Sequence, residues 1–132
     1  MYTIKEVCTK LDIPYETLKF YCKEGLVPNV KRDKNNYRVF DEQNVAWIHG
    51  LQCLRKCGMS IKDMKAYMNL CLEGKKSVPQ RKIMLENTRQ NIEQRIAELQ
   101  ESLQYIDDKQ AYYDDVLEGK VELTSYIAEL KK

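Results

Sequence analysis

The chain reads as a mainly α protein: a winged helix-turn-helix module followed by one long C-terminal helix that closes on a second copy as a coiled coil. Three observations carry that reading. Two short amphipathic segments, "IKEVCTKL" and "YETLKFYCKEG", meet at a tight turn. A basic stretch with paired asparagines, "NVKRDKNNYRVF", lies between apolar residues and suits a hairpin. Towards the C-terminus, apolar side chains recur at alternating steps of four and three.

The totals allow such a protein. The chain has 132 residues, enough for one modest core plus an extension. Apolar residues make up 43 % and charged ones 32 %, a balance that suits a folded, soluble chain. No apolar run approaches the roughly twenty residues that span a bilayer, and the N-terminus has no signal-peptide stretch, so no membrane partner and a cytoplasmic location are expected. Thiols stay reduced there, and five cysteines at irregular spacing make a poor disulfide framework. Net charge is +2, unevenly placed: residues 29–38 gather four basic side chains around one acid, a phosphate-attracting patch.

Each element follows from local signals. Thr3 is a good N-cap for the first helix, whose Ile4, Val7, Cys8 and Leu11 form one stripe. Asp12 and Ile13 make a turn, and Pro14 suits a first helical position. The second helix closes at Gly25. A two-stranded wing follows, with Asn35 and Asn36 taking the left-handed dihedrals of its turn and Phe40 facing the core. Asp41 caps a third helix with an apolar face of Val45, Trp47, Ile48, Leu51 and Leu54, ending at Gly58. Ser60 and Asp63 resemble a capping box and open a fourth helix running to Gly74. "KKSVP" is a short break, with Pro79 expected to begin the last helix and Gly119 to end it.

On that last helix Ile92, Ile96, Leu99, Leu103, Ile106, Gln110, Tyr113 and Leu117 form a narrow seam between charged and amide residues. Roughly forty helical residues span roughly 60 Å, too long for a small module to cover, so a homodimer is expected. The heptads leave open whether the helices run parallel or antiparallel, and whether Gln110 fixes the register or is a tolerated polar residue. The domain reading is residues 1–75 for the winged module with its helical extension, 76–119 for the dimerisation helix and 120–132 for a short tail.

The segment "YETLKFYCKEGLVP", followed by "NNYRVFDEQNVAWI", resembles the MerR family of transcription regulators, in which a winged helix-turn-helix reads promoter DNA. Thr17, Leu18, Tyr21, Gly25, Leu26, Tyr37 and Arg38 match the family pattern. Lys19 stands where arginine is usual, turning a bidentate contact into a point charge, and Phe20 replaces a tyrosine. The second helix offers Tyr15, Glu16, Thr17 and Lys19 on its leading turns, the part that enters a major groove. Tyr21, Lys31, Arg32, Tyr37 and Arg38 are hydroxyl and cationic donors suited to phosphate. Tyr37 has the alternative of wing core. The resemblance implies double-stranded promoter DNA as partner, RNA polymerase as an indirect one, and a dimer that twists and kinks an overlong promoter spacer.

The segment "WIHGLQCLRKCGMSI" looks like the aldehyde- and nitrosative-stress branch of that family, whose members carry one thiol in the third helix, where Cys53 stands. A thiolate is the nucleophile, and nearby cations lower its pKa; His49 and Lys56 lie one turn to either side. Cys53 has the alternative of plain packing beside Leu51 and Leu54. Cys57 is a resolving thiol or a surface residue, while Cys8, Cys22 and Cys71 read as inert.

Two other readings stand beside this one. A metal-responsive regulator would use His49, Cys53 and Cys57, but residues i, i+4 and i+8 diverge by about 80° on a helix and cannot easily meet one ion. A coiled-coil adaptor that has lost DNA binding would explain Lys19 and Phe20. An enzyme is not expected, since there is no glycine-rich phosphate loop and no nucleophile–base pair beyond Cys and His on one helix. No cofactor is expected either.

Overall fold

The computed structural model describes residues 1–124; the remainder of the expected tail, 125–132, lies outside the described residues. Two short helices open the fold. Helix α1 spans Ile4–Leu11 and begins in a full capping box: the Thr3 hydroxyl accepts from the Glu6 N–H (3.1 Å), and the Glu6 carboxylate accepts from the Thr3 N–H (3.0 Å). That bond to the Thr3 backbone also holds the Glu6 carboxyl below the usual carboxylate range. Helix α2 spans Tyr15–Lys23. Pro14 is its N-cap rather than its first residue, in extended conformation and with no side-chain cap bond. Gly25, at φ +73°, ends α2: its N–H reaches the Cys22 carbonyl (3.2 Å) and that of Leu26 the Tyr21 carbonyl (2.9 Å).

The sheet differs from expectation. The wing strands β2 (Lys31–Arg32) and β3 (Arg38–Phe40) are joined by a third, β1 (Tyr2–Thr3), in the order β1-β3-β2, antiparallel throughout. Tyr2 lies opposite Phe40, and Thr3 opposite Val39. A two-stranded wing is marginal alone, and β1 anchors it to the start of α1. Only Asn36 of the two asparagines is left-handed, at φ 66°. The loop is a turn from Asp33 to Asn36, whose shape is held by the Asp33 carboxylate accepting from the N–H groups of Asn35 (2.9 Å) and Tyr37 (3.0 Å).

Helix α3 (Glu42–Lys56) starts at Asp41, which caps the Asn44 N–H at 2.7 Å. Asn44 is buried, yet all its polar capacity facing the protein is used: its carbonyl accepts from the Asp41 N–H and its amide donates to the Pro28 carbonyl (3.0 Å). Trp47 Nε1 donates to the Leu26 carbonyl (2.7 Å), so α3 holds the segment between α2 and the wing from two points. Val7, Leu18, Leu26, Phe40 and Ile48 are fully or almost fully buried and form the centre of one core with Met64 of α4 (Ile61–Leu72). Ser60 caps α4 through the Asp63 N–H (3.1 Å), and Lys65 pairs with Glu24 at 2.6 Å.

The break after α4 is not irregular. A 3-10 turn, Gly74–Ser77, runs directly into α5 (Val78–Leu117), which starts one residue before Pro79. The Ser77 hydroxyl, buried at 2 % exposure, lies against the carbonyls of Leu70 and Gly74 and accepts from Arg81 Nε at 2.9 Å. The chain divides into two compact units, Met1–Ile92 and a second beginning at Glu93. In the second unit the seam is open: Leu99, Leu103 and Leu117 are 62 %, 60 % and 86 % exposed. Tyr112 folds the residues after Gly119 back, its hydroxyl accepting from the Thr124 N–H (2.8 Å) and donating to the Glu122 carbonyl (3.1 Å). No helix of the described residues is long and apolar enough to cross a membrane.

Candidate DNA interface and thiol site

Helix α2 leads with polar and aromatic side chains on its open face. Tyr15, Glu16 and Lys19 are exposed, Thr17 is half-buried, and Lys19 Nζ sits 5.9 Å from the Tyr15 ring centre. On the wing, Lys31, Arg32 and Tyr37 are exposed and Arg38 is half-buried. Tyr37, at 70 % exposure, is not wing core, whereas Phe40 is, at 0 %. One guanidinium N–H of Arg32 is held by the Asn36 carbonyl (2.8 Å), which orients the rest of the fork. Tyr15, Arg32, Tyr37 and Arg38 come together around one cleft of about 380 Å³.

Tyr21, a phosphate donor by the sequence reading, is only 4 % exposed, and its ring belongs to the core. Burial pushes its phenol up, opposed by the nearby Arg55 guanidinium. Helical spacing explains this, since Tyr21 lies three residues after Leu18 and shares its inward face. Beside it, Glu16, Thr17, Phe20, Arg55 and Ile61 line a second cleft, which joins α2 to the end of α3 and the start of α4. Arg55 is a cation at this cleft that the expected site residues do not include. Its guanidinium donates to the Met59 carbonyl (3.1 Å) and is thereby fixed at this edge. The basic pair in "LRKCG" was the available signal.

The thiols separate by environment. Cys53 is exposed on α3, so the packed alternative for it is overturned. His49 Nε2 lies 3.8 Å from Cys53 Sγ, one turn away. Cys57 is half-buried at the C-cap of α3. Cys8 and Cys22 are half-buried, and burial pushes both thiols up, Arg38 partly opposing this for Cys22. A raised thiol pKa leaves less thiolate at neutral pH. Brief iodoacetamide treatment of the folded protein, read by peptide mass spectrometry, is therefore expected to label Cys53 first, with Cys8 and Cys22 lagging several-fold or more. Among the described residues no group of three His, Cys, Asp or Glu side chains is arranged to hold a metal ion.

Two helices at a tight turn, a hairpin wing and a long helix define the class of winged helix-turn-helix transcription regulators. Residues 2–71 match the family described as MerR HTH family regulatory protein, and residues 45–109 the one described as MerR, DNA binding. The chain belongs to the MerR family of helix-turn-helix regulators. It is 38 % identical over 112 residues to an uncharacterized HTH-type transcriptional regulator of Haemophilus influenzae, covering 85 % of this chain and 83 % of that one. It is 35 % identical over 89 residues to the HTH-type transcriptional regulator AdhR of Bacillus subtilis, covering 67 % of this chain and 64 % of AdhR. Among solved structures, HiNmlR, a MerR family regulator lacking the sensor domain and bound to promoter DNA, is 37 % identical. It superposes with a TM-score of 0.74 over 87 % of this chain and 91 % of that one. A putative MerR family regulator of Listeria monocytogenes gives 0.79 at 30 % identity, over 89 % of each chain. These relatives agree with the branch that contains AdhR and NmlR.

Proposed function

We propose that the protein is a cytoplasmic, homodimeric regulator that binds and distorts promoter DNA, and that an electrophile acting on Cys53 controls it. The observation that supports DNA binding best is the gathering of Tyr15, Arg32, Tyr37 and Arg38 at one cleft, between the exposed leading turn of α2 and the wing. Tyr15, Glu16, Thr17 and Lys19 reach the major groove; Lys31, Arg32, Tyr37 and Arg38 position phosphate, and Arg55 joins them at the neighbouring cleft. Residues 76–119 hold the two copies together along the exposed seam, as the residues read. HiNmlR, seen on promoter DNA at 37 % identity, lends weight to this reading.

Cys53 supports the control step by exposure and by its neighbour. A neutral His49 within reach of the thiol can take its proton, leaving a thiolate. Against an aldehyde, the thiolate adds to the carbonyl carbon: an S–C bond forms, the C=O π bond breaks, and the oxygen takes up a proton. The product is a hemithioacetal on α3, which packs against both β3 and α4. Cys53→Ser is expected to hold the promoter duplex as the wild type does, within about twofold, while a promoter reporter in cells loses its response to aldehyde. A reporter response unchanged in Cys53→Ser removes Cys53 from the mechanism.

A further inference from the structure

The third strand does more than extend the sheet. By pairing Thr3 with Val39, it lays the first turn of α1 alongside the wing, and the cleft between them is lined by Thr3 and Lys5 as well as by Tyr15, Arg32 and Arg38. Three cations line this cleft against one carboxylate, that of Asp33. Asp33 is turned to its own loop, where it accepts from the Asn35 and Tyr37 amides. The Glu6 carboxylate, next in sequence to Lys5, is likewise engaged by the Thr3 N–H of the capping box. Arg32 and Arg38 belong to the phosphate-facing set already described; Lys5 is exposed and has no role there. A lysine ammonium is a compact charge on a long stem, suited to a phosphate oxygen without demanding fixed geometry.

We propose that Lys5, at the start of α1, is a further DNA-backbone contact: its ammonium takes a phosphodiester of the strand that runs through the cleft between α1, α2 and the wing. The inference rests on the DNA-binding reading and extends it to an element outside the helix-turn-helix's reading helix and hairpin. Each such contact releases counterions, so it is read in the salt dependence of binding rather than in affinity at one condition.

The test is fluorescence anisotropy with a duplex carrying the promoter of the protein's own gene, titrated at KCl concentrations from about 50 to about 200 mM. Lys5→Ala and Lys5→Gln are each expected to reduce the slope of log K against log[KCl] by about 0.9 per subunit, roughly 1.8 for a dimer. Lys5→Arg should restore the slope, and Lys82→Ala on α5 should leave it at the wild-type value. Unchanged melting by circular dichroism separates lost contact from lost fold, and the glutamine variant supplies a second side chain of similar length. A wild-type slope in both Lys5→Ala and Lys5→Gln overturns the proposal, as does weaker binding with no change in slope. Absence of any salt-dependent binding by the wild type rejects the DNA-binding reading itself, and this contact with it.

Discussion

Replacing Leu99 and Leu103 together with glutamate is expected to convert the protein from a dimer to a 15.6 kDa monomer, measured by size exclusion with light scattering. Both leucines lie on the seam of α5 with some 60 % of their surface open. Burying that remainder on four leucines contributes about 4–7 kcal/mol, at about 1.5–3 kcal/mol for a whole side chain. Each 1.4 kcal/mol is tenfold, so removal alone weakens association by roughly three to five orders of magnitude. Carboxylates facing each other across the seam add repulsion. DNA affinity should fall with it by about 10²–10⁴, because two linked modules become two independent ones. A variant that stays dimeric would show that the copies meet elsewhere.

Phe40→Ala is expected to cost the N-terminal unit about 3–5 kcal/mol, read by urea denaturation. The ring is fully buried, at the end of β3 opposite Tyr2 and one residue before the cap of α3. Its loss leaves a cavity where sheet and helices meet. Against a total stability of about 5–15 kcal/mol for a typical domain, that is enough to populate unfolded protein at growth temperature. Tyr37→Ala, three residues earlier and 70 % exposed, should stay within about 0.5 kcal/mol of the wild type. Equal effects at the two positions would contradict the burial pattern that separates them.

The helices were legible because their boundaries are written in local chemistry. Thr3, Asp41 and Ser60 each cap the helix expected of them, and Gly25 ends α2 in a left-handed conformation. The period of α5 was equally plain, since a helix that buries nothing on its own exposes its seam without interruption. Strand β1 was not legible. Two residues show no alternation, and Tyr2–Thr3 become a strand only because β3, nearly forty residues on, offers an edge. The same limit applied to the site. Exposed donors on the leading turn of α2 could be named from spacing, but Tyr21 shares a face with Leu18 and went inward. Lys5 comes to the wing cleft only through wing residues distant in sequence, and no local pattern marks it. Cys53 could be named but not placed, because free cysteine is common both in cores and on surfaces.

The joint between α4 and α5 has mechanical properties of its own. One buried hydroxyl, that of Ser77, serves the Leu70 and Gly74 carbonyls and the Arg81 guanidinium at once. Bending there would release several hydrogen bonds together, each contributing about 1 kcal/mol. Such a joint has no soft intermediate position. A strain arriving from the α4 side passes on into the first turns of α5 undamped, so the connection behaves as a stiff coupling rather than a flexible linker.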